Sequence, residues 1–303
     1  MSNVKKLGKG LEDISYLFLS SAEENNAQKA SLSRPEKKTH PEMEAATKSI
    51  CLIGNDSDPR DAFLIINLSL ALARLGMRIA IVDMDEKFSC LKFFLGRELE
   101  SWEKTDPESL IKKGPLGVYL IGVNKKTFGQ SLDLEKKQKL IFQLDKLEES
   151  VDLVLLHVMQ KDLRGLNPKF RDAIKEFVVM VPPDKNKMLE SYRIIKTIFS
   201  FNPLAKIGSI ITNIDHMYEI DAVYSKMSSA VKKFLDKELH KYGFLFKVKE
   251  KMDSTANISS FYDADLTACI SNIAQIIVLR LNLGEQMAGS GSFFKNMLET
   301  LEG

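Results

Sequence analysis

The stretch Lys48–Asp85, KSICLIGNDSDPRDAFLIINLSLALARLGMRIAIVDMD, sets the architecture of the chain. Ser49 to Gly54 is a short apolar run that ends in glycine, as a buried strand entering a turn does. Phe63 to Leu75 carries apolar residues nearly all round, the pattern of a helix packed on a sheet. Gly76 follows, and a second apolar run, Arg78 to Val82, leads into Asp83 and Asp85. Two parallel strands joined by one helix make a βαβ unit with a right-handed crossover. Ligands of such sheets sit beyond the carboxyl ends of the strands. The turn Asn55–Asp61 is therefore where a ligand is expected.

That turn has the frame of a phosphate-binding loop without its chemistry. Such loops use glycines so that backbone N–H groups can wrap phosphate, a lysine to neutralise it, and a Ser or Thr to hold magnesium. Here the positions read Asn55, Asp56, Ser57, Asp58, Pro59, Arg60, Asp61 and Ala62. Three carboxylates stand where a polyanion would bind, and two like charges ~4 Å apart repel by ~4 kcal/mol at an effective dielectric near 20. Asp58 followed by Pro59 reads as a helix N-cap with proline at the first helical position, and Asp61 suits the positive end of the helix. The protein's own carboxylates would then occupy the anion site.

From Lys48 to about Leu283 the chain resembles the ParA/MinD family of P-loop ATPases, with its deviant Walker A loop, including the FlhG/MinD-like branch. The family opens with a strand, a KGGxGK[ST]T loop, a helix containing N-L-A-x-A-L-A, and then G-x-R-V-x-x-x-D-x-D. Asn67-Leu68-Ser69-Leu70-Ala71-Leu72-Ala73, Gly76-Met77-Arg78-Ile79 and Asp83-Met84-Asp85 match in order and spacing. Counting back from Asn67, Asp56 falls at the signature lysine, Asp61 at the P-loop lysine and Ala62 at the magnesium-binding Thr. Asp152-Leu153-Val154-Leu155-Leu156-His157 corresponds to the family's D-Y-V-L-I-D strand, which puts His157 at the Walker B Asp. Phe177 to Pro183 and Ile207 to Asn213 resemble two later strands, and Asn213 matches the position that recognises adenine. Asp85 matches the carboxylate credited with orienting the attacking water.

The resemblance implies an α/β fold: a three-layer α/β/α P-loop NTPase-like domain around a mostly parallel twisted sheet. Strands are expected at 49–54, 78–83, 117–122, 152–157, 176–182 and 206–212, with an edge strand at 243–247. Losing both lysines, the Thr and the Walker B Asp together implies a pseudo-ATPase with no cofactor. It would act as a scaffold or adaptor that positions or regulates a cell-envelope machine such as a flagellum, pilus, polysaccharide synthase or partition system. Two alternatives stay open: a residual nucleotide binder using Asn213 without turnover, and an active ATPase with rearranged residues. With Asp56 in place of the signature lysine, a dimer built around ATP is not expected.

The organisation divides into a basic, amphipathic segment at 1–21, a polar linker at 22–47, the α/β domain at 48–284, and a linker with an amphipathic helix at 285–303. A net charge of +2 gives no signal for nucleic acid. Cys51, Cys90 and Cys269 lie far apart, as reduced thiols of a cytoplasmic protein do, and His40, His157, His216 and His240 show no metal-ligand spacing, so no metal is expected. No serine or cysteine nucleophile comes with a recognisable base or oxyanion motif. No apolar stretch reaches ~18 residues, so a membrane-spanning helix is not expected.

Both ends carry apolar residues at helical spacing. Leu11, Ile14, Leu17 and Phe18 follow a basic start, as a docking peptide or a helix packed back on the domain's edge would, and a secretion or motility component is an expected partner. Leu7-Gly8-Lys9-Gly10-Leu11 resembles the start of ParB partners, which implies docking onto an active ParA/MinD-type ATPase or folding of Lys5, Lys6 and Lys9 onto the chain's own acidic loop. At the other end, Phe293, Phe294, Met297, Leu298 and Leu301 share one helical face after a Gly/Ser stretch. The MinD branch ends with a membrane-targeting helix of this kind, which implies peripheral attachment at the inner membrane. Lys295 is the segment's only basic residue beside Glu299 and Glu302, so a protein groove is an equal expectation.

Overall fold

The computed structural model describes residues 48–54, 59–85, 90, 111–123, 134–247, 264–283 and 293–302. The expectations placed on 1–21 and 22–47, including Leu11, Ile14 and Phe18, lie outside the described residues, as does Asp56. Among the described residues eight strands form one sheet: β1 (Ser49–Gly54), β2 (Ile79–Asp83), β3 (Ile111–Lys113), β4 (Tyr119–Gly122), β5 (Leu153–Met159), β6 (Glu176–Val181), β7 (Lys206–Ile214) and β8 (His240–Phe246). Their order is β3-β4-β2-β5-β1-β6-β7-β8, and every neighbouring pair is parallel except β3 with β4. β1 and β5 are buried along their whole length, which accounts for their unbroken apolar runs.

The helices are α1 (Pro59–Arg74), α2 (Leu134–Ser150), α3 (Pro168–Ala173), α4 (Lys185–Phe201), α5 (Tyr218–Leu235), α6 (Ala264–Arg280) and α7 (Phe293–Glu302). Residues 61–70 of α1 are all buried because the helix is covered by the sheet on one side and by α6 on the other. Two of the polar side chains in that stretch of α1, Asn67 and Ser69, use the helix's own carbonyls. Asn67 Nδ2 donates to the carbonyl of Phe63 at 2.8 Å and Ser69 Oγ to that of Ile66 at 2.6 Å. Right-handed crossovers place α2, α4 and α5 on the opposite face, which gives three layers.

Two strands depart from expectation. β3 pairs antiparallel with β4 at the sheet edge and carries two lysines in three residues, too little apolar signal to read as a strand. β8 spans seven residues, starting three residues before the expected edge strand, and its Gly243 has φ +142 and lies against Ile273 of α6. A Cβ there would stand 2.7 Å from that side chain. The strand thus runs through a position that only glycine fills.

The C-terminal helix requires a correction. Phe293, Phe294, Met297 and Leu298 are 3 % exposed or less, packed against α2 and α3. The buried Glu148 of α2 accepts hydrogen bonds from the backbone N–H groups of Phe293 and Phe294, each at 3.3 Å, and so caps the helix N-terminus. The Phe293 ring meets Phe170 of α3 edge-on, with centroids 5.4 Å apart, and Lys169 pairs with Glu299 at 3.7 Å. The apolar face expected to meet lipid or a protein groove is part of the core; the side chain of Leu301 lies outside the described set.

Truncating a buried Phe or Leu costs about 3 kcal/mol or more, and an introduced carboxylate adds to that. Phe294→Asp combined with Leu298→Asp should therefore lower the melting temperature by roughly 10 °C or more. Calorimetry of the full chain checks this, and a melting temperature within a degree of the parent would return the helix to a docking role.

Candidate functional site

The carboxyl ends of β1, β2 and β5 converge on a buried polar cluster. β5 lies between β1 and β2, and the parallel register places His157 opposite both Leu52 and Asp83. Side chains opposite one another on neighbouring parallel strands share a face of the sheet. His157 Nδ1 accordingly lies 2.9 Å from Asp83 Oδ1, with both side chains 2 % exposed or less. Cys90 adds its Sγ at 3.4 Å from the same nitrogen, and its backbone N–H donates to Asp83 Oδ2 at 2.8 Å. The N–H of Asp85 donates to Asp83 Oδ1 at 3.3 Å.

Electrostatics here favour positive charge. Burial works against a charged imidazole, but the hydrogen bond and charge of Asp83, together with the charges of Asp61 and Asp85, outweigh it and hold the His157 pKa above the ordinary histidine value. Burial and the same three carboxylates push the Cys90 thiol far up, so it stays protonated in the metal-free protein. Gly54 closes the cluster on the β1 side. A Cβ there would stand 2.9 Å from His157 Nε2 and 3.0 Å from both Asp61 Oδ2 and Met159 Sδ. Only glycine lets the imidazole, the carboxylate and the strand end approach so closely.

The expected site residues distribute as follows. Asp61, Asp85 and His157 come together, all buried, while Ala62 is 2 % exposed and presents no hydroxyl. Asn213 adopts the left-handed conformation, φ +62, and lines a separate cavity of about 80 Å3 with Ile53, Asp61, Leu64, Pro182 and Lys187. Asp83 and Cys90 were not singled out from the sequence as site residues. Asp83 precedes the expected Asp85 by two positions, and it is the strand order of the folded sheet that places it beside His157. Cys90 carries no comparable signal.

A comparison of the fold with solved structures gives clear likenesses at low identity. MinD in the MinC:MinD cell division complex of Aquifex aeolicus matches with a TM-score of 0.53 and 16 % identity, over 77 % of this chain and 96 % of that one. The fold is that of MinD. The septum site-determining protein MinD of Pyrococcus horikoshii OT3, complexed with Mg-ADP, matches at 0.52 and 14 % over 76 % of this chain and 96 % of that one. A plasmid partition protein from Borrelia burgdorferi B31 bound to AMPPNP matches at 0.52 and 15 % over 78 % and 99 %. No protein-family model matches the sequence, and a comparison with curated proteins gives no match. No helix among the described residues is long and apolar enough to cross a membrane.

Replacing His157 alone should be costly because it takes the imidazole away from a buried carboxylate. His157→Leu is expected to destabilise the metal-free protein by about 3 kcal/mol in urea unfolding, with much of that recovered when Asp83→Leu is added. A cost below about 0.5 kcal/mol, the size of an ordinary surface change, would remove the pair from the centre of the site.

Proposed function

We propose that the protein is a ParA/MinD-like pseudo-ATPase that works as a scaffold or adaptor in the cytoplasm, helping to position or regulate a cell-envelope machine such as a flagellum, pilus, polysaccharide synthase or partition system. One observation carries this above the others: the 2.9 Å pair of His157 with Asp83 lies where the resemblance places a magnesium-binding carboxylate.

These residues do not fit a magnesium nucleotide. His157 puts an imidazole, hydrogen-bonded to Asp83 at 2.9 Å, where an active relative is expected to have a carboxylate, so that position offers no oxygen ligand to magnesium. Asp61 directs a carboxylate at the strand end over Gly54, where a phosphate-binding lysine is expected in an active relative. Ala62 supplies no oxygen ligand. These features favour loss of binding over a residual nucleotide site at Asn213 or a rearranged active ATPase. Among the described residues, Asp61, Ala62 and His157 stand where phosphoryl transfer in an active relative is expected to use a lysine, a hydroxyl and a carboxylate.

Protein partners belong to the same proposal. The Aquifex MinD structure is a complex with MinC. With the C-terminal helix in the core, the N-terminal segment at 1–21 becomes the favoured docking element, and attachment at the inner membrane through residues 293–302 loses its support.

Isothermal titration of the full chain with ATP and magnesium, run beside a phosphate-release assay, is expected to give no binding heat and no turnover. Micromolar affinity, turnover abolished by Asp85→Ala, or an ATP-induced dimer in sedimentation would each overturn the pseudo-ATPase assignment.

A further inference from the structure

Three ligating atoms of different kinds meet at the ends of β2 and β5. Asp83 offers a carboxylate oxygen, Cys90 a sulfur and His157 its Nδ1, and all three lie within 4.8 Å of one another and are buried. A cysteine, a histidine and an aspartate also suggest nucleophilic catalysis, but the arrangement is wrong for it. Cys90 and Asp83 crowd the same imidazole nitrogen, at 3.4 and 2.9 Å, whereas a triad needs the nucleophile on one ring nitrogen and the carboxylate on the other. Convergence of all three on one point is instead what a metal ion requires.

We propose that Asp83, Cys90 and His157 form a three-ligand binding site for zinc. Bonds of about 2.0–2.1 Å to nitrogen, 2.0–2.2 Å to oxygen and 2.3 Å to sulfur place the ligand atoms of tetrahedral zinc about 3.3–3.6 Å apart. The nitrogen–sulfur separation of 3.4 Å already falls in that range. The nitrogen–oxygen separation of 2.9 Å must open by about 0.4 Å to reach it, a small rotation of one carboxylate. Thiolate and imidazole together select zinc over magnesium or calcium, which prefer oxygen alone.

The surroundings hold these ligands in place. Backbone N–H groups of Cys90 and Asp85 fix the Asp83 carboxylate at 2.8 and 3.3 Å, the kind of outer contact that orients metal-binding groups. Among the described residues His157 Nε2 has no hydrogen-bond partner, in a ring that is 1 % exposed. With zinc on Nδ1, that nitrogen carries the ring's single proton, and it faces the space over Gly54 into which Asp61 Oδ2 also projects. Binding releases the thiol proton of Cys90 to solvent, and zinc on Nδ1 leaves the imidazole neutral with its one proton on Nε2. The three carboxylates that keep the thiol protonated in the metal-free protein favour the ion once it arrives.

The site is independent of whether nucleotide is bound, and its test uses none. Full-length protein, freed of metal under reducing conditions, is titrated with cobalt(II) and then zinc. Stoichiometric cobalt binding with a thiolate-to-cobalt charge-transfer band in the near ultraviolet is expected, displaced by zinc, and zinc should raise the melting temperature until a chelator is added. Cys90→Ser should abolish the band and His157→Gln should weaken zinc binding at least tenfold, whereas Cys51→Ser and Cys269→Ser should keep the band. A wild-type cobalt spectrum lacking the thiolate band, or a band that survives Cys90→Ser, would overturn the proposal; because the first needs no variant, a substitution that fails to fold leaves the answer intact.

Discussion

Everything at the strand ends follows from one buried contact, the hydrogen-bonded pair of Asp83 on β2 with His157 on β5. Taking a carboxylate and an imidazole out of water is costly, and the cost is offset only if geometry is good and the remaining polar atoms are satisfied. The parallel sheet meets the first condition by register alone, since the two residues stand directly opposite one another on neighbouring strands. Backbone N–H groups of Asp85 and Cys90 meet much of the second by binding the Asp83 oxygens. The glycine at the end of β1 removes the one Cβ that would force the imidazole and Asp61 apart.

Most of the fold was legible because its central strands β1, β2 and β5 are buried along their whole length. Continuous apolar runs such as those at 49–54 and 153–159 can be read as interior strands without any knowledge of their neighbours, and Gly76 with Pro59 marks the limits of α1. Strands at the edge gave less. Ile111–Lys113 has two lysines in three residues, and His240–Phe246 mixes charged and aromatic residues with a glycine at positive φ. One-sided burial weakens the hydrophobic pattern on which strand recognition depends.

The site was legible only in part, for a related reason. Asp61 and Ala62 could be placed by counting back from a recognisable helix, and Asp85 and His157 by matching strand ends, but the pairing of His157 with Asp83 is a contact between residues 74 apart, and the approach of Cys90 depends on where its segment returns. The C-terminal helix teaches the same lesson. Its amphipathic pattern was plain, yet a stripe of Phe, Met and Leu states only that the face must be covered. What covers it is α2 and α3, with Glu148 capping the helix from 145 residues away. No local signal distinguishes that outcome from a groove on another molecule.

The most direct measurement is nitrogen NMR of the His157 side chain in metal-free protein, recorded before and after addition of ATP with magnesium. A histidine locked to Asp83 should show Nδ1 protonated, protected from solvent exchange and unmoved by millimolar nucleotide, with the protection lost in Asp83→Asn. An imidazole that exchanges freely, or whose resonances shift when ATP and magnesium are added, would contradict the account.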